Sequence, residues 1–236
     1  MNRTVQRRIV LGTIALLLLQ SPVSAMAKAK AKSTDKATYT IIHAIPSGNG
    51  ADKVDVYANN TLIIDNATPG AMKSFTVDRG NVQIKIFADG VSPSSDTAAV
   101  LTSNKTYLTN GENVSFVAFL GADGKPRISM FKNMITEAGK KRGWLTVRHV
   151  AAAPEVNIRA GGATVIKNLA NGMERKSTFN TKTYSVDVVL SDSPSVVAIP
   201  AANVSVQNET NTVVYAWGSA AQRNLGYLIQ QVPVRK

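Results

Sequence analysis

Two histidines, His43 and His149, are the only imidazoles in a chain of 236 residues, and each closes a short β-rich run. The runs are Thr40-Ile41-Ile42-His43 and Thr146-Val147-Arg148-His149, 106 residues apart. An imidazole beside a carboxylate is the material of a general base or a metal site. Asp55 follows in the run Val54-Asp55-Val56-Tyr57, and its counterpart is Asn157 in Val156-Asn157-Ile158-Arg159. An amide replaces a carboxylate as a hydrogen-bond acceptor, but not as a base or a hard metal ligand. The substitution therefore favours a structural reading. Each histidine is expected to be a polar plug where a strand leaves its sheet, paired with Asp55 or Asn157 at the sheet edge.

Other reactive chemistry lacks its landmarks. There is no cysteine, which removes thiol nucleophiles, thiolate metal sites and disulfides together. No Gly-x-Ser-x-Gly elbow, His-Glu-x-x-His pair or phosphate-cradling Gly-Lys-Ser/Thr loop occurs. Asp52, Asp55, Asp65 and Glu112 could meet in space, as acids on any sandwich surface can. No catalytic residue, cofactor site or metal site is expected, and the chain is read as a non-enzyme. Tyr215 and Trp217 lie two apart, so on a strand they share a face and could form a sugar-stacking platform. The matching run Phe116-Val117-Ala118-Phe119 points instead to rings that fill a core or an interdomain contact.

The elements that must position these residues occur twice. After each histidine come a small/proline segment, an alternating run, a polar turn (Asn59-Asn60; Gly161-Gly162) and a second apolar arm. Late in each copy come Asn113–Gly121 and Thr212–Gly218. Short strands at about 8–12-residue spacing predict an all-β chain of two tandem antiparallel β-sandwich domains. The first is expected over 38–131 and the second over 143–236, with 132–142 as a linker. Residues 132–141 could hold a turn or two of helix.

Before them, Arg3, Arg7 and Arg8 precede an apolar run from Ile9 to Leu19, with Pro22 and small residues after it. That order reads as a secretory signal peptide over 1–27, of the ordinary Sec type, rather than a membrane span. Lys28–Ala37 reads as a disordered basic tail. The chain is therefore expected to be exported, periplasmic or extracellular, with no transmembrane segment after cleavage. The net charge is +12, and three of those positive charges leave with residues 1–27. Such an excess attracts anionic polymers. No interleaved basic and aromatic stripe marks a specific nucleic-acid reader.

The order of His43-Ala44-Ile45-Pro46, a longer insert, Val54-Asp55-Val56-Tyr57, and the closing Gly218-Ser219-Ala220-Ala221 with Leu225–Gln230 resembles a known pattern. It is similar to the bacterial secreted "domain of unknown function" family number 4397. The resemblance covers nearly all of 38–232, and it implies tandem immunoglobulin-like or transthyretin-like sandwiches without implying an activity. The function expected is an envelope or extracellular interaction or adhesion module, with an unknown protein or anionic polymer as partner. The alternative is a glycan- or small-ligand-binding protein, with its site at the domain seam or on exposed aromatics.

Overall fold

A computed structural model describes residues 36–94 and 97–235, all within one compact unit. The expected signal peptide and residues 28–35 of the expected tail lie outside the described residues. Lys36 and Ala37, assigned to that tail from sequence, instead open the first strand. The described residues contain strands and no helix, so none is long and apolar enough to cross a membrane.

The first copy contains β1 (Lys36–Ala44), β2 (Val54–Ala58), β3 (Thr61–Ala67), β4 (Met72–Asp78), β5 (Gly80–Val82), β6 (Ile84–Ala88), β7 (Leu101–Thr102), β8 (Thr106–Leu108), β9 (Asn113–Leu120) and β10 (Pro126–Lys132). The second contains β11 (Arg142–Ala152), β12 (Val156–Ala160), β13 (Ala163–Leu169), β14 (Glu174–Asn180), β15 (Lys182–Leu190), β16 (Val197–Val206), β17 (Thr210–Ser219) and β18 (Gly226–Pro233). Sheet orders β10-β9-β1-β4 and β3-β2-β6-β7 build the first sandwich. Their counterparts β18-β17-β11-β14 and β13-β12-β15-β16 build the second, strand for strand. One pair in each copy is parallel, β1 with β9 and β11 with β17. All other pairs are antiparallel, including a small β5–β8 sheet.

Three apolar layers separate the four main sheets. Val56, Ile84 and Phe116 belong to the first core, and Ile158, Val188 and Val214 to the second. A third layer joins Ile42, Val117, Phe119 and Phe131 of the first copy to Val150, Val213, Tyr215 and Val232 of the second. The two sandwiches are therefore stacked face to face, with β1, β9, β11 and β17 covered on both sides. That explains their sequences. Seven of the eight residues of β9 are buried, and its stretch Phe116–Leu120 is continuously apolar where a strand wetted on one face would alternate.

The seam is pseudo-twofold. Phe119 lies against Gly172 of the other copy, and its counterpart Trp217 lies against Gly70, the counterpart of Gly172. Both glycines hold positive φ, 86° and 80°, and a β-carbon there would sit within 4.0 Å of the opposing ring. Reciprocal contact of equivalent groups is the signature of a two-fold interface, here contained in one chain.

Candidate functional site

Each histidine does plug a strand end, but against the backbone. His43 Nε2 lies 2.7 Å from the carbonyl of Ala51, and His149 Nε2 lies 2.9 Å from that of Pro154. A carbonyl only accepts, so in both rings the proton sits on Nε2. His149 Nδ1 accepts weakly from the Ala151 N–H at 3.4 Å, whereas the buried His43 Nδ1 has no partner. The expected His43–Asp55 and His149–Asn157 pairs are not made. Period-two alternation explains the correction: Val54 and Val56 enter the first core, which sends Asp55 to the opposite face of its sheet. His43, between Ile42 and Ala44 on β1, shares its side of the strand with the core residues Ile41 and Ile45.

Asp55 and Asn157 hold a bulge instead. Pairing slips between β2 and β3, and at the same place between β12 and β13. Asn66 and Asn168 stand there at φ 55° and 52°. Asp55 Oδ1 accepts the Asn66 N–H at 3.0 Å, and Asn157 Oδ1 accepts that of Asn168 at 2.9 Å. The second oxygen of Asp55 accepts the Gly90 N–H at 2.9 Å, whereas Asn157 Oδ1 also accepts the Ser191 hydroxyl at 3.2 Å. Asp55→Asn would turn an amide NH2 towards one of these N–H groups, so a stability loss of about 1–3 kcal/mol is expected in urea unfolding. An unchanged midpoint would show that the carboxylate does not hold the bulge.

Of the carboxylates considered from sequence, Asp55 and Asp65 do converge, and Asp89 joins them within 4.8 Å. Asp52 instead accepts the Gly48 N–H, and Glu112 accepts the Thr109 N–H and pairs with Lys132. The positions 102 residues on from the three acids are Asn157, Lys167 and Ser191, so the second copy has no such cluster. Asp65 and Asp89 are exposed, and both oxygens of Asp55 already accept backbone N–H groups. A calcium shell would need about 6–8 oxygens.

Burial holds both imidazoles below their ordinary value of 6.5. The unfolded chain therefore takes up protons that the folded chain resists. The histidine contribution is fully present above about pH 6.5 and is lost as pH falls towards the depressed folded values. Unfolding midpoints should be flat near pH 7–8 and fall towards pH 5.5. A His43→Gln/His149→Gln variant, whose amides can still donate to the carbonyls, should show a shallower fall. An unaltered slope would assign the pH dependence to other groups.

The seam carries a polar network that the sequence did not announce. Arg148 is fully buried and donates to Glu174 Oε2 at 2.9 Å, the Tyr215 hydroxyl at 2.7 Å and Asn133 Oδ1 at 2.8 Å. Its guanidinium stacks over Phe131 at 4.6 Å. Tyr215 donates in turn to Gln230 Oε1 at 2.7 Å, and Gln230 Nε2 to Thr40 Oγ1 at 2.9 Å. The chain of contacts thus crosses from β14 to β1. Tyr215 has no exposed ring, and burial raises its hydroxyl pKa. It cannot stack on a sugar. Trp217 is half-buried against Gly70 and Leu228. The two rings therefore belong to the interdomain contact, and the sugar-stacking platform considered for Tyr215 and Trp217 is not formed.

Residues 133–141 are likewise more than a solvated connection. Asn133 is buried in the network, Ile135 packs on the seam layer, and the Thr136 carbonyl accepts the Trp144 indole N–H at 2.8 Å. An open groove of about 370 Å3 remains at one mouth of the seam, bordered by Thr38, Ser74, Asn113 and Gln230. At the opposite mouth, the position of Thr38 is taken by Trp144.

The family described as "Domain of unknown function (DUF4397)" matches residues 37–159. No curated protein matches the chain. Among solved structures, the chain is similar to CBMbc, a family CBM26 module from Eubacterium rectale Amy13K in complex with maltoheptaose. The identity is 10%, the coverage 85% of this chain and 98% of that one, and the TM-score 0.23. At that level the likeness carries no argument about this chain.

Proposed function

Since the chain belongs to the DUF4397 family, described only as a domain of unknown function, we propose its role from geometry: an exported, non-enzymatic interaction module on a two-sandwich scaffold. The observation that carries this reading is what the polar interior does. Both histidines hold backbone carbonyls. Arg148, Tyr215 and Gln230 tie the second copy to Asn133 and to Thr40 of the first. These groups serve cohesion, so recognition falls to loops and strand edges, where a rigid scaffold holds variable surface. Export is supported by the signal-like order of residues 3–27. The net charge, +12 in the full chain and +9 once Arg3, Arg7 and Arg8 are removed, favours an anionic envelope polymer, or an acidic protein surface, as the encounter partner.

A second reading, a small-ligand or glycan site at the seam, now rests on the groove beside Thr38 and Gln230 rather than on Tyr215 and Trp217.

Quantitative binding of the purified protein, lacking residues 1–27, to envelope and cell-wall fractions across a salt series tests the proposal. Saturable retention persisting where charge attraction is screened, beyond about 0.15 M salt, is the expected result. Retention that vanishes with salt on every fraction would reduce the behaviour to polybasic adhesion and end the proposal. Soaking in neutral oligosaccharides, with Gln230→Ala as control, separates the second reading.

A further inference from the structure

The two copies close the same end of their sandwiches differently. In the first, ten residues lie between His43 and Val54; in the second, six lie between His149 and Val156. The longer link of the first copy folds across the mouth of its core. Ile45 and Ala51 are buried there, the His43–Ala51 contact ties the link down, and a cavity of about 30 Å3 is all that remains beneath it. The link of the second copy is four residues shorter, and the equivalent mouth is an open groove of about 490 Å3. Val100 and Pro126 line the first cavity, and their counterparts Ala198 and Leu225 line the second. The groove lies within the ~300–1,000 Å3 common for small-molecule sites.

Its chemistry is one-sided. Leu190, Ala198 and Leu225 pack on the second core, so the floor of the groove is the core itself. Val196 continues the wall while 47% exposed. One charged residue lines the groove, Arg223, and no acid does. Arg223 is exposed, makes no ion pair among the described residues, and stands at φ 57° in the turn after β17. That turn is fixed at several points. The Ser219 N–H donates to Asn224 Oδ1 at 2.8 Å, and Gln222 Oε1 accepts from Asn49 in the long link of the first copy at 3.0 Å.

We propose that this mouth binds a free single-chain carboxylic acid, with the acyl chain against Leu190, Ala198 and Leu225 and the carboxylate on Arg223. Carbon walls with a lone cation at the rim complement an aliphatic tail ending in one negative charge. An extended peptide with an apolar C-terminus would need backbone partners from β16, the edge of its sheet. Pro200 removes one donor from that edge, and the β15–β16 register is broken between Val186 and Val189. The site goes beyond the interaction role, and neither depends on the other.

Calorimetric titration of the whole protein with straight-chain acids from hexanoate to dodecanoate, below their micellar concentrations, tests it. Affinity should rise about 3- to 4-fold per added methylene until the groove is filled. The alcohol of matching length should bind about tenfold more weakly. Arg223→Gln should erase the difference between acid and alcohol and leave the alcohol unchanged. Ala220→Trp, at an exposed position on the groove wall, should block both ligands. Val196→Glu gives an independent obstruction should the first variant not fold. Binding without chain-length dependence, equal binding by Arg223→Gln and the parent, or saturable binding of a Leu-terminated peptide in place of the acids would each overturn the proposal.

Discussion

Arg148→Ala should lower the free energy of unfolding by about 3 kcal/mol, the largest single-residue loss expected in the seam. The guanidinium is wholly buried and serves Glu174, Tyr215 and Asn133 at once. Removing one partner of a buried ion pair costs roughly 3–5 kcal/mol, because the other is left without its counter-charge. Glu174 retains 23% of its side-chain exposure and can take up water, which places this loss at the lower end. Tyr215→Phe should cost less, about 1–2 kcal/mol, since only one hydroxyl is withdrawn from Arg148 and Gln230. Urea denaturation of both variants gives the comparison. Equal effects would mean that the hydroxyl, rather than the charge, holds the network together.

The first copy alone, residues 36–134, should not be a soluble monomer. Separating the halves uncovers Ile42, Ala44, Val117, Phe119 and Phe131, a contiguous apolar sheet face without a charge. Patches of that kind mark interfaces or aggregation sites. Because the face already meets its own counterpart across a pseudo-twofold, the fragment is expected to form a dimer through it. Light scattering coupled to size exclusion should report twice the fragment mass, and Val117→Lys should return the monomer. The second copy alone carries Arg148 in the same face and should pair less well. A monomeric, well-dispersed first copy would show that the seam adds little to its stability.

Much of this architecture was legible in the residues, and the misreadings have physical causes. The repeat set the strands of both sandwiches because alternation and turn residues survive duplication. The late run Asn113–Gly121 forms β9 over all but its last residue. The stacking of the copies was present in the same run, since continuous apolarity means burial on two faces. Tyr215 and Trp217 follow from it: a strand wetted on one side could display them, a covered strand cannot. Asp55 and Asn157 were recognised as structural from the carboxylate-to-amide exchange. Their partner could not be read, because alternation fixes which face a side chain takes and not which N–H waits there. Asp89 escaped notice since it lies far along the chain from Asp55. Arg148 was visible only as one basic residue in an apolar strand, and its counter-charge is 26 positions away. The length of the first link was evident as an insert, but its effect on the sandwich mouth required coordinates.

Joining the copies covalently also loosens a restriction that identical subunits obey. Were the seam built by two separate but identical polypeptides, every alteration would appear on both sides of the axis. An arginine at position 148 would then bring a second guanidinium into the same dry layer. Here the equivalent position is Ile42. Fusion lets one half hold the cation while the other supplies hydrocarbon, so each copy is free to specialise without unbalancing its neighbour.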